Sequence, residues 1–259
     1  MFSNFSTILV LALVLAGGIL LVNAIVIRKK RLALGQSAAA PESTLVSYAR
    51  SFFPVLLLVV LVRSFLFEPF RIPSASMMPG LVDGDFILVN KFSYGLRLPL
   101  LHTKFVAISE PRRGDVIVFR LPSDPATNFI KRLVGLPGDH VAVRDNHVFI
   151  NDTPVTLTFS GTYAGDPGFA GSPLGLERFG QNAHLVMFAS ERFATDFEGT
   201  VPANQYFFMG DNRNDSEDSR FQKVGYVPDE YLVGRAVRIW MNWRPPGWPD
   251  WRRIGTRVQ

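Results

Sequence analysis

Hydrophobic and polar positions divide the chain into two regimes. Across residues 5–27 nothing is charged, and only Ser6, Thr7 and Asn23 are clearly polar. As helix this run reaches about 35 Å, enough to cross a hydrocarbon core of roughly 30 Å. A second apolar run covers residues 51–67, with Arg63 as its one charge. Arg63 sits near the far end, where a long side chain can snorkel to the headgroups. After Pro69 the apolar stretches become short and are broken by Gly, Pro and Asp. Residues 86–89 follow Asp83-Gly84-Asp85, and residues 116–119 follow Arg113-Gly114-Asp115. Each reads as a turn feeding a strand. Residues 129–134 form another such run, closed by Gly135-Leu136-Pro137-Gly138-Asp139. Residues 141–143 and 147–150 flank Asp145-Asn146 as a hairpin, and residues 205–209 and 232–240 are again strand-like. No amphipathic run of period 3.6 interrupts them. The pattern predicts two N-terminal transmembrane helices, then a mostly-β domain of antiparallel sheets, as a barrel or folded sheet with hairpin connections. Residues 152–200, rich in Gly, Pro, Thr and Phe, predict a smaller lobe inserted into the larger core.

Charge adds orientation. The chain has 27 Lys+Arg against 22 Asp+Glu among 259 residues, a net of +5. Residues 1–50 hold five of the basic groups (Arg28, Lys29, Lys30, Arg31 and Arg50) and one acid, Glu42. The excess is therefore local, which speaks against a nucleic-acid partner. No basic side chain precedes the first run, so it reads as an anchor and not as a cleaved leader. The positive-inside rule then sets the order along the chain. Residues 1–27 are a first span, 28–50 a cytoplasmic loop with a small-residue linker at 37–40, and 51–69 a second span. Residues 70–259 lie on the periplasmic side of the inner membrane, with the lipid bilayer as a partner. The absence of cysteine excludes a disulfide framework, a thiol nucleophile, a Cys-ligated zinc and an iron–sulfur cluster. No metal or cofactor is called for. Trp240, Trp243, Trp248 and Trp251 crowd the C-terminal end, as a core cap or as a membrane-interface seat.

Candidate chemistry concentrates in three segments: residues 73–79, 131–139 and 210–220. A serine nucleophile needs a base. The four histidines, His102, His140, His147 and His184, stand in no H-E-x-x-H pattern, and no G-x-S-x-G occurs, so zincin and α/β-hydrolase chemistry are not signalled. They read as solvated or structural. Lysine is the other candidate. At its ordinary pKa near 10.4 it is protonated, but burial lowers that by several units. Lys131, in the strand-like run after Ile130, would be a neutral amine if it faced the core beside a serine. The alternative is a solvated basic pair with Arg132 at a sheet rim. Local pattern does not choose between these, nor among Ser74, Ser76, Ser216 and Ser219.

Taken in series, the motifs resemble those of the bacterial type I signal peptidases, membrane-bound serine endopeptidases also called leader peptidases. The resemblance is carried by Phe70-Arg71-Ile72, Pro73-Ser74-Ala75-Ser76-Met77-Met78-Pro79, residues 114–119, Lys131-Arg132-Leu133-Val134-Gly135-Leu136-Pro137-Gly138-Asp139, and residues 210–220 from Gly210-Asp211-Asn212-Arg213 to Asp218-Ser219-Arg220. It covers nearly the whole chain in order. It implies Ser76 as nucleophile, Lys131 as general base, and an oxyanion hole from the Ser76 N–H and the Ser74 hydroxyl. It further implies Ser216 hydrogen-bonded to the lysine amine, a supporting Asp218–Arg220 ion pair, and a shallow apolar substrate pocket from Ile72, Ile130, Phe70 and Met77, with Val118. The implied substrates are the signal peptides of exported preproteins emerging from the translocation machinery, cut after an Ala-x-Ala-type site. Met78 is open to internal packing or to contact with the bilayer. The chain departs from the family pattern in a longer join at residues 221–228 and in the order Asn214-Asp215. A specialised Ser–Lys peptidase maturing a pilus or conjugation protein is one alternative; a non-enzymatic, membrane-tethered β-domain is the other.

Overall fold

The computed structural model describes residues 2–27, 29, 33, 43–97, 103–189 and 195–259. Arg28, Lys30 and Arg31 of the basic loop, the 37–40 linker and His102 lie outside the described residues. The chain divides into two compact units, Met1–Leu66 and Phe67–Gln259.

The first unit is helical. Helix α1 (Phe2–Val22) continues into a π-helical turn, Asn23–Ile27, and α2 (Thr44–Leu61) into another, Val62–Leu66. The stretches Thr7–Val26 and Thr44–Leu66 are each long and apolar enough to cross a membrane. Helix α2 begins well before the apolar run that announces it. Ser43 is extended and its hydroxyl accepts from the Val46 N–H at 3.4 Å, an N-cap that starts the helix at Thr44. Helix α1 brings Gly17 against α2: a Cβ there would stand 3.2 Å from the Phe53 ring. With Ala16 and Ala49 also buried, small residues let the helices approach closely.

Residues 67–69, placed at the end of the second span, instead open the first strand, because their backbone pairs with residues 88–90. The second unit is built on a seven-stranded antiparallel sheet. In spatial order it runs β1 (Phe67–Arg71), β2 (Asp85–Asn90), β16 (Leu232–Asn242), β5 (Val116–Leu121), β6 (Asp124–Gly135), β14 (Gln205–Met209) and β15 (Val227–Pro228). Hairpin β3 (Leu96–Arg97) and β4 (Lys104–Val106) stands apart. A four-stranded sheet joins β13 (Phe197–Thr200), β7 (His140–Arg144), β8 (His147–Ile150) and β9 (Thr153–Pro154). The β7–β8 turn has Asp145 and Asn146 both at positive φ, the geometry that favours such residues in two-residue hairpins.

Of residues 152–200, only the middle forms a lobe of its own: a three-stranded sheet of β10 (Thr156–Thr162), β11 (Pro173–Phe179) and β12 (Asn182–Met187). The ends of that range pair with β8 and β7 and belong to the four-stranded sheet. The loop between β1 and β2 lays Ile72, Met77 and Leu81 onto Ile87, Val89, Val116, Val118, Ile130 and Ile239, so the loop carrying Ser76 rests on the main sheet. Met78 is also buried, which settles its packing as internal.

The C-terminal tail divides by residue. Trp248 and Trp251 remain exposed, at 92% and 69%, and cap nothing. Val258 packs on the core, and Arg253 reaches the buried Asp85, its Nε donating at 2.7 Å and its Nη2 at 2.6 Å.

Candidate active site

Strand β6 is exposed from Asp124 to Asn128 and buried on both faces from Ile130 onward, packed between β5 and β14. Lys131 and Arg132 therefore lie inside, at 4% and 3% exposure, and the solvated rim pair is excluded. Lys131 Nζ donates to Ser76 Oγ at 2.6 Å, and Ser76 is itself buried. Burial drives the Lys131 amine down to about 8, against the pull of Asp218, Asp211 and Glu217, whose negative charges favour the ammonium. Ser74 Oγ lies 3.3 Å from Ser76 Oγ.

The neighbouring Gly210–Arg220 segment closes back on β14. Phe208 exchanges hydrogen bonds with Ser219: its N–H donates to Ser219 Oγ at 2.9 Å, and the Ser219 N–H donates to its carbonyl at 3.0 Å. Asp218 and Arg220 form a forked ion pair, Nε to Oδ1 at 2.8 Å and Nη2 to Oδ2 at 2.9 Å. Asp218 Oδ2 also accepts from the Gly210 N–H at 3.0 Å, so the pair holds the loop backbone. A Cβ at Gly210 would stand 2.1 Å from Ser216 Oγ and 2.6 Å from the Ser76 carbonyl oxygen, so only glycine fits between them. The Asn212 N–H donates to that same Ser76 carbonyl at 3.1 Å.

Ser216 departs from expectation. Its buried Oγ makes no hydrogen bond, to Lys131 or to any other group among the described residues. The hydroxyl is packed against Gly210, while the Lys131 amine is occupied by Ser76. The expected pocket residues also divide: Ile72 and Met77 are wholly buried in the core cluster, Ile130 nearly so, and Phe70 is the half-buried one.

Sequence reading missed a second layer. Arg132 forks onto Asp211, Nε to Oδ1 and Nη2 to Oδ2 both at 2.6 Å, and its Nη1 donates to the Gly114 carbonyl at 2.6 Å. Arg213 forks onto Glu177 of the lobe, and His184 stands 3.2 Å from the same carboxylate. The position of Arg132 beside Lys131 was a usable signal. Glu177 had none, because its partner lies 36 residues further along.

The geometry is that of a serine hydroxyl held against a buried amine. A model described as "Signal peptidase, peptidase S26" matches residues 45–241. The chain belongs to that family. It is 42% identical to a signal peptidase I of Pseudomonas aeruginosa over 98% of both chains. To a signal peptidase I of Pseudomonas fluorescens it is 47% identical, over 83% of this chain and 80% of the other. A solved signal peptidase I from Enterococcus faecalis is 28% identical, covers 50% of this chain and 98% of its own, and has a TM-score of 0.33. Membership makes the chain a signal peptidase enzyme, and the non-enzymatic β-domain falls away.

Proposed function

We propose that this chain is a serine endopeptidase that removes signal peptides from exported preproteins by a Ser76–Lys131 dyad. The observation that carries the reading is the 2.6 Å contact between Ser76 Oγ and a Lys131 amine whose pKa burial lowers to about 8. In the neutral form the amine takes the Ser76 hydroxyl proton across that contact, and Oγ attacks the scissile carbonyl. The negative charge that develops on the carbonyl oxygen is met by the Ser76 N–H and the Ser74 hydroxyl, donors that act only once the tetrahedral intermediate forms. The C–N bond then breaks, Lys131 returns the proton to the leaving amine, and an acyl-Ser76 ester remains. Lys131 next takes a proton from water, which attacks the ester; the acyl C–O bond breaks, the lysine returns that proton to Ser76 Oγ, and the signal peptide leaves with a free carboxyl end. No step is assigned to Ser216, whose hydroxyl packs against Gly210. Asp218 and Arg220 brace the loop that carries it.

Substrate enters as an extended segment with small residues one and three positions before the cut, the Ala-x-Ala pattern, against a wall of Phe70 backed by Ile72, Met77 and Ile130. Helices α1 and α2 are assigned as inner-membrane spans, with residues 67–259 on the periplasmic side, where preproteins emerge from the translocation machinery. Their length and composition support this assignment, as does the basic loop between them.

The test is cleavage of an Ala-x-Ala preprotein by the detergent-solubilised chain. Ser76→Ala and Lys131→Ala are each expected to lower the rate by at least a thousandfold while the proteins remain folded and membrane-inserted. Full activity in Lys131→Ala would sink the dyad.

A further inference from the structure

We propose that Glu177, on the inserted lobe, is a positioning residue for the Ser76–Lys131 pair and acts through Arg213. The inference rests on the dyad reading above.

Glu177 lies on β11, directly opposite His184 on β12. The Arg213 guanidinium forks onto its carboxylate, Nη1 donating to Oε1 at 2.7 Å and Nη2 to Oε2. All three side chains are buried. Burial alone would raise the Glu177 carboxyl, but the Arg213 charge and the His184 contact outweigh it and hold the group at about 2. It therefore stays charged beside Arg213.

The backbone beside this pair is stitched to the same lobe. The Arg213 N–H donates to the Met187 carbonyl, and the Met187 N–H to the Asp211 carbonyl, both at 2.8 Å. Between those two points stands Asn212. Its N–H donates to the Ser76 carbonyl at 3.1 Å and its Nδ2 to the Ala75 carbonyl at 3.3 Å. On the other side, Asp211 forks onto Arg132, the neighbour of Lys131 in β6. Three consecutive residues thus touch the strand of the base, the backbone of the nucleophile and the lobe. Glu177 fixes the third of them, so a shift of the Arg213 guanidinium is passed to Asn212 and to the carbonyl of Ser76 itself.

A stability role alone explains this poorly. A buried ion pair is commonly replaced by apolar residues of similar volume with little or no loss of stability, whereas removing one partner leaves an uncompensated charge. What the charged fork supplies, and an apolar pair does not, is direction.

The experiment compares the full-length wild type, Glu177→Gln, the double variant Glu177→Leu with Arg213→Met, and Lys131→Ala. All are assayed in detergent on one Ala-x-Ala preprotein, well below each melting temperature. Glu177→Gln is expected to lower kcat at least tenfold and to leave KM within twofold. The double variant, free of unpaired charge, is expected to recover the wild-type melting temperature and still show the low kcat. A double variant that recovers kcat together with stability overturns the inference, as does a folded Glu177→Gln with full kcat or a loss confined to KM. Should Glu177→Gln fail to fold, the double variant decides. Lys131→Ala separates the two failures: if it is inactive while the Glu177 variants are unimpaired, the positioning role fails and the dyad stands; if it is active, the dyad itself fails.

Discussion

Lys131 is a long cationic side chain placed where water is excluded, and two consequences can be measured. The first is the rate. Only the neutral amine accepts the Ser76 proton, so kcat/KM should rise with pH through about 8, where burial has brought the group, and then level off. A rate still climbing steadily at pH 10 would mean that the base keeps its ordinary pKa. The second is stability. In the unfolded chain this lysine titrates near its ordinary value of 10.5, and in the folded chain at about 8. Between those values the unfolded state binds the extra proton, so stability rises with pH across that window. Below about pH 8 the cost of burying the charge is fully present. Lys131→Met removes it, and should raise the unfolding free energy at pH 7 by a few kcal/mol at most, since each tenfold loss of proton affinity corresponds to about 1.4 kcal/mol. The advantage should shrink as the pH approaches 10.5. Thermal unfolding of both proteins in detergent at pH 7 and pH 10 checks the sign. The buried state of this lysine was only half legible in the sequence. Apolar neighbours announced a strand, but whether its charges faced core or rim depended on β14, whose pairing is non-local.

At the scale of elements, the strands that could be read are those with both a turn signal and apolar residues. The Asp-Gly-Asp and Arg-Gly-Asp turns announce β2 and β5, and β14 matches the strand-like run 205–209 end to end. Strand β6 begins at Asp124, ahead of its apolar portion, because its first residues are exposed and joined to β5 through the backbone, which leaves no hydrophobic trace. Strand β1 was hidden for the opposite reason: its apolar residues prolong a helical run, and only pairing with β2 ends it. The tail was legible as aromatic, yet its anchoring residue is Arg253. The fully buried Asp85 is held by Arg253, by Asn242 Nδ2 at 2.8 Å and by the Val82 N–H at 2.9 Å. Arg253 Nη2 also donates to the Gly80 carbonyl at 3.0 Å, in the loop that carries Ser76. Arg253→Ala leaves Asp85 without its counter-charge and should cost about 3 kcal/mol in urea unfolding. Trp251→Ala, at an exposed ring two residues away, should change stability by less than about 0.5 kcal/mol. Equal losses would mean that the aromatic ring, and not the ion pair, secures the tail.

For the whole molecule, the residues around Ser76 come from widely separated stretches: the 72–84 loop, β6, the 210–220 segment and, through Arg213, the lobe. Motif order alone could indicate the first three, since each block carries its own residues. Their meeting is a property of a sheet in which strands distant in sequence become neighbours. The same scale governs orientation. Helices α1 and α2 have the length and composition of spans, and the five basic residues of the first 50 lie behind the first run. If that loop is cytoplasmic, the β unit lies on the far side of the membrane. The complete lack of cysteine makes this directly testable, because any introduced thiol is the only one in the chain. Ser37→Cys marks the linker, and Ser160→Cys marks an exposed position on β10. A membrane-impermeant maleimide added to intact spheroplasts should label Ser160→Cys and spare Ser37→Cys until the membrane is opened. The reverse pattern would put the Ser76–Lys131 pair in the cytoplasm, away from emerging preproteins, and would separate the chemistry from the export role assigned to it. Labelling of both positions before lysis would mean that the basic loop does not stay inside, so that the charge excess does not set the orientation.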